Sequence, residues 1–465
     1  MFVHTQISAF NADCYTPVEL YLKLRHSYRK CCLLESNDYH SRQDSHSLIG
    51  FDPLVEITLK NGELCIVREG KTHISTPDGT QLLSRQIQAL LDDFEFQEAR
   101  FNGFIGRVGF EFNQQEETRV KAQAEKDEIP QLHLLLFRFV LVLDHFTHVG
   151  TLLENSLSGT FSGQTLDQLL RGRRILNLPF ALQGKEHARF SDEAFESKVR
   201  DAIGHCARGE VFQLVLSNRF RQAFFGDDFQ VYRQLRQLNP SPYLFYFDFE
   251  DYRLFGSSPE AQIKIQKGQA EIHPIAGTVP RTGISEMDAL QLEHLLADEK
   301  ENAEHTMLVD LARNDLSRMC EAVKVRSYKE IQHFSHVIHL VSKVEGKLSN
   351  TRHFEALCQS FPAGTLSGTP KPRALELIAE MEGGRRNFYG GAIGLIGAGR
   401  TLNTAIVIRS VLSRNQQLFY AAGAGVLVDS DARKETEEVH HKLKAVRTAL
   451  NRAHAVHQPL IPQAL

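Results

Sequence analysis

His273-Pro274-Ile275-Ala276-Gly277-Thr278 is the stretch on which the reading of this chain turns. An alternating run, Ala261-Gln262-Ile263-Lys264-Ile265, and a Lys267-Gly268 turn come before it, and together they read as a strand and a reversal. A long helical run rich in acids follows. Gly277 allows the backbone to come close to a ligand, and Thr278 adds a hydroxyl beside it. A lone Gly-Thr pair would read as a strand ending in a turn. Here Gly256-Ser257-Ser258-Pro259-Glu260 stands before it and Glu301 and Glu304 stand after it, which makes a ligand site the competing reading.

The 465 residues are enough for two or three domains or one large one. With 42% apolar and 24% charged residues the composition is that of a globular chain able to bury a core. A formal net charge of −4 offers no basic field for nucleic acid. Seven scattered cysteines without a Cys-x-x-Cys pair indicate neither a disulfide framework nor a zinc site, and fit a reducing cytoplasm. Met1 to Gln6 lacks a basic segment followed by an apolar one, so no signal peptide is expected. The most apolar run, Leu132 to Leu143, carries His133 and Arg138 and is too short for a membrane span; it reads as one or two buried strands. There are 30 Phe and 11 Tyr but no Trp, which is either drift in a rare residue or the mark of a protein made when tryptophan is scarce.

The first 185 residues are rich in strand signals. Leu33-Leu34-Glu35-Ser36 leads to a polar loop, Val55-Glu56-Ile57-Thr58-Leu59 alternates, and Lys60-Asn61-Gly62 is a hairpin turn. Gln114 to Glu128 is dense in charge and reads as exposed. The mixed stretch Leu176 to His187 suggests a boundary, giving an N-terminal region 1–185, a second domain 186–452 and a tail 453–465. The second domain opens with a helix capped by Ser191, with a stripe of Phe195, Val199, Ala202, Ile203 and Cys206 and an end near Gly209. A buried strand over Val211 to Ser217 follows, with Gln213 either a core amide or a ligand contact.

Two pairs of acids stand out. In the helix expected over Leu290 to Leu316, Asp298, Glu299 and Lys300 read as a solvated face, whereas Glu304 extends the stripe of Leu308 and Leu311, with Glu301 one turn earlier. In the C-terminal helix Glu435 and Glu438 lie beside the stripe Val439, Leu443, Val446 and Leu450. An inward carboxylate from each of two helices makes a hard-oxygen site suited to Mg²⁺, although glutamates at this spacing are common on plain helix surfaces. Glycine-rich turns are expected at Phe361 to Lys371, Tyr389 to Gly394 and Ala421 to Val426; none is a dinucleotide or P-loop fingerprint. Arg409, read at the end of an apolar strand from Thr404, would need an anion if buried, and a substrate carboxylate would serve. His336 and His339 fall on opposite faces of one strand, so at most one faces a given pocket.

In their order, Ser257-Ser258-Pro259-Glu260, Pro274-Ile275-Ala276-Gly277-Thr278, Asp298-Glu299-Lys300 with Ala303-Glu304-His305 and Val309-Asp310-Leu311-Ala312-Arg313-Asn314-Asp315, then Ser335-His336-Val337-Ile338-His339-Leu340-Val341-Ser342, Phe361-Pro362-Ala363-Gly364-Thr365 and Ala422-Gly423-Ala424-Gly425-Val426 make a series. The series resembles the chorismate-utilising enzymes, most closely the large subunits of anthranilate synthase, over about the whole chain. The resemblance implies an α+β fold of two packed antiparallel sheets with helices on the outer faces. It implies a lyase that converts chorismate and ammonia to anthranilate and pyruvate. Glu260 would be the general acid for the departing C4 hydroxyl, with His339 and Thr365 lining the pocket. Gly277, Thr278, Tyr389, Arg409, Gly423, Ala424 and Gly425 would hold chorismate. Glu304 and Glu438, with Glu301 and Glu435 beside them, would bind Mg²⁺.

Relatives that make 4-amino-4-deoxychorismate carry Lys at the position of Ala276, and those that make isochorismate carry Lys at the position of Gln213. Both are absent here, which favours ammonia attack at C2, with those two activities and a non-catalytic amino-acid sensor as alternatives. Ser36, with Pro242, Tyr243 and Leu244, resembles a tryptophan feedback site, Leu244 standing where Met is common. No Gly-x-Cys-x-Gly nucleophile turn is present, so a separate glutamine amidotransferase subunit (component II) would supply ammonia. Neither nucleic acid nor membrane is an expected partner.

Overall fold

Alternating and continuously apolar runs put the largest share of the described residues into strands, nearly all of them antiparallel. The computed structural model describes residues 1–36, 45–112, 128–282, 284–333, 337–349 and 352–457, without the side chains of Ala276, Thr278, Pro280, Lys300, His333 and Val337. Strand His46–Lys60 pairs with Leu132–Asp144, from His46 opposite Asp144 to Leu59 opposite Leu132. The latter is a single strand through the whole apolar run. Asn61 and Gly62, at φ +53° and +80°, close the expected hairpin to Glu63–Arg68, the backbone that a tight turn of the favoured hand requires. The charged segment expected to be exposed, Gln114 to Glu128, lies outside the described residues but for Glu128, which is exposed.

The strand network runs across residue 185. Cys31–Glu35 pairs with Tyr243–Asp248, Gly103–Val108 with Ala392–Gly397, and Phe180–Ala188 with Gln213–Gly226. Three apolar clusters define the layers. One packs helices Asp192–Ala207, Phe229–Leu238 and Ala432–His457 on strands Gln213–Gly226 and Gln417–Val426, through Phe195, Val199, Leu235, Val439, Leu443, Val446 and Leu450 against Leu216, Tyr420 and Ala422. A second packs helices Leu83–Asp92, Glu299–Ser317 and His353–Ser360 on Leu134, Leu136, Ile263 and Val344. The third is drawn mainly from strands, including Phe137, Val140, Phe245, Phe247, Ile393, Ala405 and Leu412. Helix-covered cores outside and a strand-to-strand core inside make two packed antiparallel sheets, the expected α+β architecture.

Ser191 caps its helix as expected, its Oγ accepting from the Ala194 N–H at 3.3 Å, a contact worth about 1 kcal/mol. Three local expectations are corrected. The helix read over Leu290 to Leu316 is two, Ser285–Ala297 and Glu299–Ser317. Asp298 breaks them because it takes an extended conformation and caps the second, accepting from the Glu301 N–H at 3.0 Å. Arg409 is not in the strand, which ends at Ile406; it sits at φ +49° in the reversal before strand Ser410–Arg414. Ala421 to Val426 is no turn but the end of strand Gln417–Val426, whose glycines serve close approach: a Cβ on Gly423 would stand 2.7 Å from Leu216 O.

Candidate active site

The Ile275 to Thr278 stretch lies in a bulged strand. Ile275–Pro280 pairs with Val337–Leu348, and the register breaks between Ala276 and Thr278. Gly277 occupies the break at φ +81°, a backbone that glycine adopts without strain. A Cβ there would come within 2.9 Å of Leu295, so the helix Ser285–Ala297 lies tight against it. The Thr278 backbone faces His339 across the ladder, while its side chain lies outside the described residues, as does His336. His339 is buried, and its imidazole is hydrogen-bonded to the Gly277 backbone. Burial, with Arg409 nearby, pushes it down to about 4, so it is a neutral imidazole.

Glu260 follows strand Arg253–Ser258 and is anchored on three sides. Its backbone carbonyl accepts from Ile406 N at 3.0 Å, its backbone meets Ser258 Oγ at 3.4 Å, and Thr365 Oγ1 donates to its Oε1 at 2.9 Å. Burial raises its carboxyl to about 7, against the opposing effects of the Thr365 hydrogen bond, Arg409 and Lys442. Such a carboxyl can carry a proton near neutral pH and release it, which is what a general acid requires. Arg409 has its own pKa lowered by burial, with Glu260 as the opposing influence.

Across the site, Gly423, Ala424 and Gly425 pair with Ser217, Leu216 and Val215. Lys442 Nζ bonds Gly423 O at 2.9 Å and Glu438 at 2.7 Å, and the buried Tyr389 hydroxyl lies against Gly423. Gln213 Nε2 packs where a Cβ on Gly425 would go and reaches Glu304 Oε1 at 3.5 Å. These contacts link Glu260, His339, Thr365, Gly277, Tyr389, Arg409, the 423–425 strand, Glu304 and Glu438 into one constellation.

The acid pairs differ from their reading as inward carboxylates. Glu438 is 45% exposed and rests on the rim with Lys442, whereas Glu435 is buried and accepts from Ser430 Oγ at 2.8 Å. The reason is helical phase: Glu435 lies one turn before Val439 on the buried stripe, and Glu438 is a single residue off it. Glu301 and Glu304 are both half-buried on their helix. Among the described residues no three His, Cys, Asp or Glu converge to cage an ion.

Several residues were missed. Lys442 is one turn past Glu438 on the same helix, and that spacing could have found it. Asp315 and Lys371 form a buried ion pair at 3.0 Å, with Lys371 also donating to Ser360 O at 3.1 Å. Arg386 and Glu382 form another, in which Arg386 donates to Leu366 O at 2.6 Å and lies over the Phe110 ring. They brace the short helix Gly364–Ser367 that carries Thr365.

Ser36, Pro242, Tyr243 and Leu244, far apart in sequence, line one pocket of about 150 Å³ together with His46, Phe101, Lys264, Ile393 and Ala405. Pairing of Cys31–Glu35 with Tyr243–Asp248 brings them together.

An acid raised by burial, cations beside it and a bulged glycine strand are equipment suited to an enzyme acting on an anionic substrate. A family model described as chorismate binding enzyme matches residues 29–448, and the chain belongs to that family. It is 34% identical to anthranilate synthase component 1 of Aquifex aeolicus, over 94% of this chain and 92% of that one. It is also 34% identical to that of Arthrobacter globiformis, over 96% and 90%. Among solved structures, anthranilate synthase component I from Streptococcus pneumoniae superposes with a TM-score of 0.75 at 32% identity, covering 86% of this chain and 92% of that one. The menaquinone-specific isochorismate synthase of Escherichia coli, at 19% identity and a TM-score of 0.73 over 96% and 94%, shares the fold. No helix among the described residues is long and apolar enough to cross a membrane.

Proposed function

We propose that this chain is a large subunit of anthranilate synthase, converting chorismate and ammonia to anthranilate, pyruvate and water, the first committed step towards tryptophan. The observation that carries the reading is Glu260, raised to about 7 and held by Thr365 beside Arg409. The Glu260 carboxyl gives its proton to the C4 oxygen as the C4–O bond breaks, so water rather than hydroxide departs. Ammonia adds at C2 and loses a proton. Loss of the C2 hydrogen and cleavage of the C3–O bond then release pyruvate and leave the aromatic ring. Arg409 and Lys442 offset substrate carboxylate charge, and the glycines of 423–425 let the ring lie on the strand.

The branch rests on two side chains. Gln213 is an amide held against Gly425 and Glu304 and cannot act as a base towards water, and Ala276 offers no amine. Neutral ammonia needs neither. Mg²⁺ fits the donor set, which is all carboxylate: Glu304 and Glu438, with Glu301 and Glu435 nearby, would hold it with substrate and water completing the shell. When bound it supplies charge neutralisation and Lewis acidity at the ring carboxylate. With no nucleophile turn for glutamine in the sequence, ammonia would come from a glutamine amidotransferase partner, component II.

The second pocket is assigned in this reading to tryptophan as feedback inhibitor. A cavity of about 150 Å³ takes a benzene-sized ring, and here Asn403 and Lys264 at the edge reach solvent. Tyr243 pairs with Ser258, whose hydroxyl meets the Glu260 backbone, and Ala405 in the pocket wall precedes Ile406, which bonds Glu260 O. A ligand that shifts this wall therefore acts on the acid. The division into a regulatory region, residues 1–185, and a catalytic region, residues 186–452, is a functional one in this reading. The test is product identity. Purified chain with chorismate, Mg²⁺ and ammonium should yield fluorescent anthranilate, and glutamine should not replace ammonium. Accumulation of 4-amino-4-deoxychorismate or isochorismate, or glutamine-driven turnover, would overturn the assignment.

A further inference from the structure

Beside Glu260 lies a small cavity of about 30 Å³, whose lining includes none of Gly423, Ala424 and Gly425. Glu260, Thr365, Gln262, His273, Asp315 and Ser360 line it, and apolar residues of helix Glu299–Ser317 complete the wall. One water needs about 10–15 Å³ and two to four polar partners. Gln262 is 2% exposed; its Nε2 donates to Ser360 O at 3.3 Å, while among the described residues no group donates to its Oε1. A buried acceptor left in this way calls for a donor small enough for the space, and that is water. The negative charge of Asp315 is already matched by Lys371, so the cavity does not call for a cation.

We propose that this cavity is a water site from which Glu260 regains its proton between turnovers, with Gln262 fixing the water and His273 on the path to solvent. The inference rests on Glu260 being the general acid. Each turnover leaves Glu260 as a carboxylate, because its proton departs with the C4 oxygen. The cavity water gives a proton to Glu260 and takes one in turn from bulk water by way of the His273 side chain; no bond other than O–H and N–H changes. His273 is half-buried, 3.3 Å from Glu271, and reaches solvent, and imidazole is the natural carrier on such a path. Glu260 lies near 7, so around neutral pH the path rather than the driving force sets the rate of return.

The experiment is Gln262→Leu, which keeps the volume and removes the acceptor; Ser360 O retains its bond from Lys371. Anthranilate formation is followed in a single turnover with enzyme in excess and again at steady state, both at pH 6.5, where the resting acid is loaded. The expected result is a single-turnover rate within about twofold of wild type and a steady-state rate at least about tenfold lower, partly restored by imidazole buffer. Equal slowing of both would make Gln262 a positioning residue and overturn the relay. No slowing of either would mean that the proton returns through the open substrate side, and would overturn it too. Should Gln262→Leu fail to fold, Gln262→Met gives the same comparison, with melting temperature as the control. Failure of the wild-type chain to make any anthranilate would instead refute the functional reading.

Discussion

Replacing Thr365 by valine tests the acid directly. The Thr365 hydroxyl stands 2.9 Å from Glu260 Oε1 and is the foremost influence opposing the rise that burial causes. A hydrogen bond to a charged group is worth about 1.5–3 kcal/mol, and about 1.4 kcal/mol is one unit of pKa. Losing it leaves the carboxylate less favoured, so the Glu260 carboxyl should move from about 7 up by about one unit. In the proposed mechanism Glu260 must be protonated for the C4 oxygen to leave as water, so the rate should fall as pH rises through its pKa, and in Thr365→Val the fall should come about one unit later. At pH 8 roughly a tenth of the wild-type acid would be protonated and roughly half of the variant's, so the variant should keep about fivefold more of its own maximal rate. The assay is kcat/KM for chorismate from pH 5.5 to 9.5 at saturating Mg²⁺ and ammonium. The position of the alkaline limb is the readout, because the substitution can also lower its height. A limb that stays in place or moves down would show that Glu260 is not the group whose proton limits the reaction.

Glu260→Gln should cut the rate by about two decades or more and stabilise the fold at alkaline pH. The raised folded-state pKa gives a contribution fully present below about 4.5 and lost as pH climbs through about 7, so melting at pH 8.5 should be higher in the variant and unchanged near pH 5. Glu304→Gln should raise the Mg²⁺ concentration needed for half-maximal rate by about tenfold or more with the melting temperature nearly constant, and a normal Mg²⁺ titration would remove Glu304 from the ligand set. Ser36→Ala should weaken tryptophan inhibition by about 1–2 kcal/mol, roughly tenfold, with the uninhibited rate intact, and an unmoved inhibition constant would release Ser36 from that role.

The sequence disclosed most where one element carries its own signal. The stripe Val439, Leu443, Val446 and Leu450 is buried throughout, and Ser191 caps where its neighbours said it would. Periodicity and capping are local, so one chain segment is enough to read them. Local signals also misled where a neighbour competed. Asp298 looked like one more charge on a helical face, but its short carboxylate satisfies the Glu301 N–H better than a continued helix would, and the helix breaks there. Apolar residues from Thr404 to Ile408 read as a strand up to Arg409, yet the chain reverses after Ile406 and carries Arg409 into the site at positive φ. Phase explains the acids: a shift of one residue on helix Ala432–His457 exchanges the buried Glu435 for the exposed Glu438.

The acid's properties lie beyond any local reading because they belong to the assembly. Glu260 is ordinary in sequence; its character comes from Thr365, more than a hundred residues later, from Ile406 on the neighbouring strand, and from Arg409 and Lys442. None of these four is periodic with Glu260, and only the strand pairing Ala261 with Ala405 and the braces Asp315–Lys371 and Glu382–Arg386 bring them within reach. Motif order supplied the names of most of these residues without the reason they work together. The reason is burial: it lifts Glu260 towards neutrality and holds His339 uncharged, each near Arg409, so that one carboxyl and one imidazole stand in the forms that the proposed proton transfer to the C4 oxygen requires.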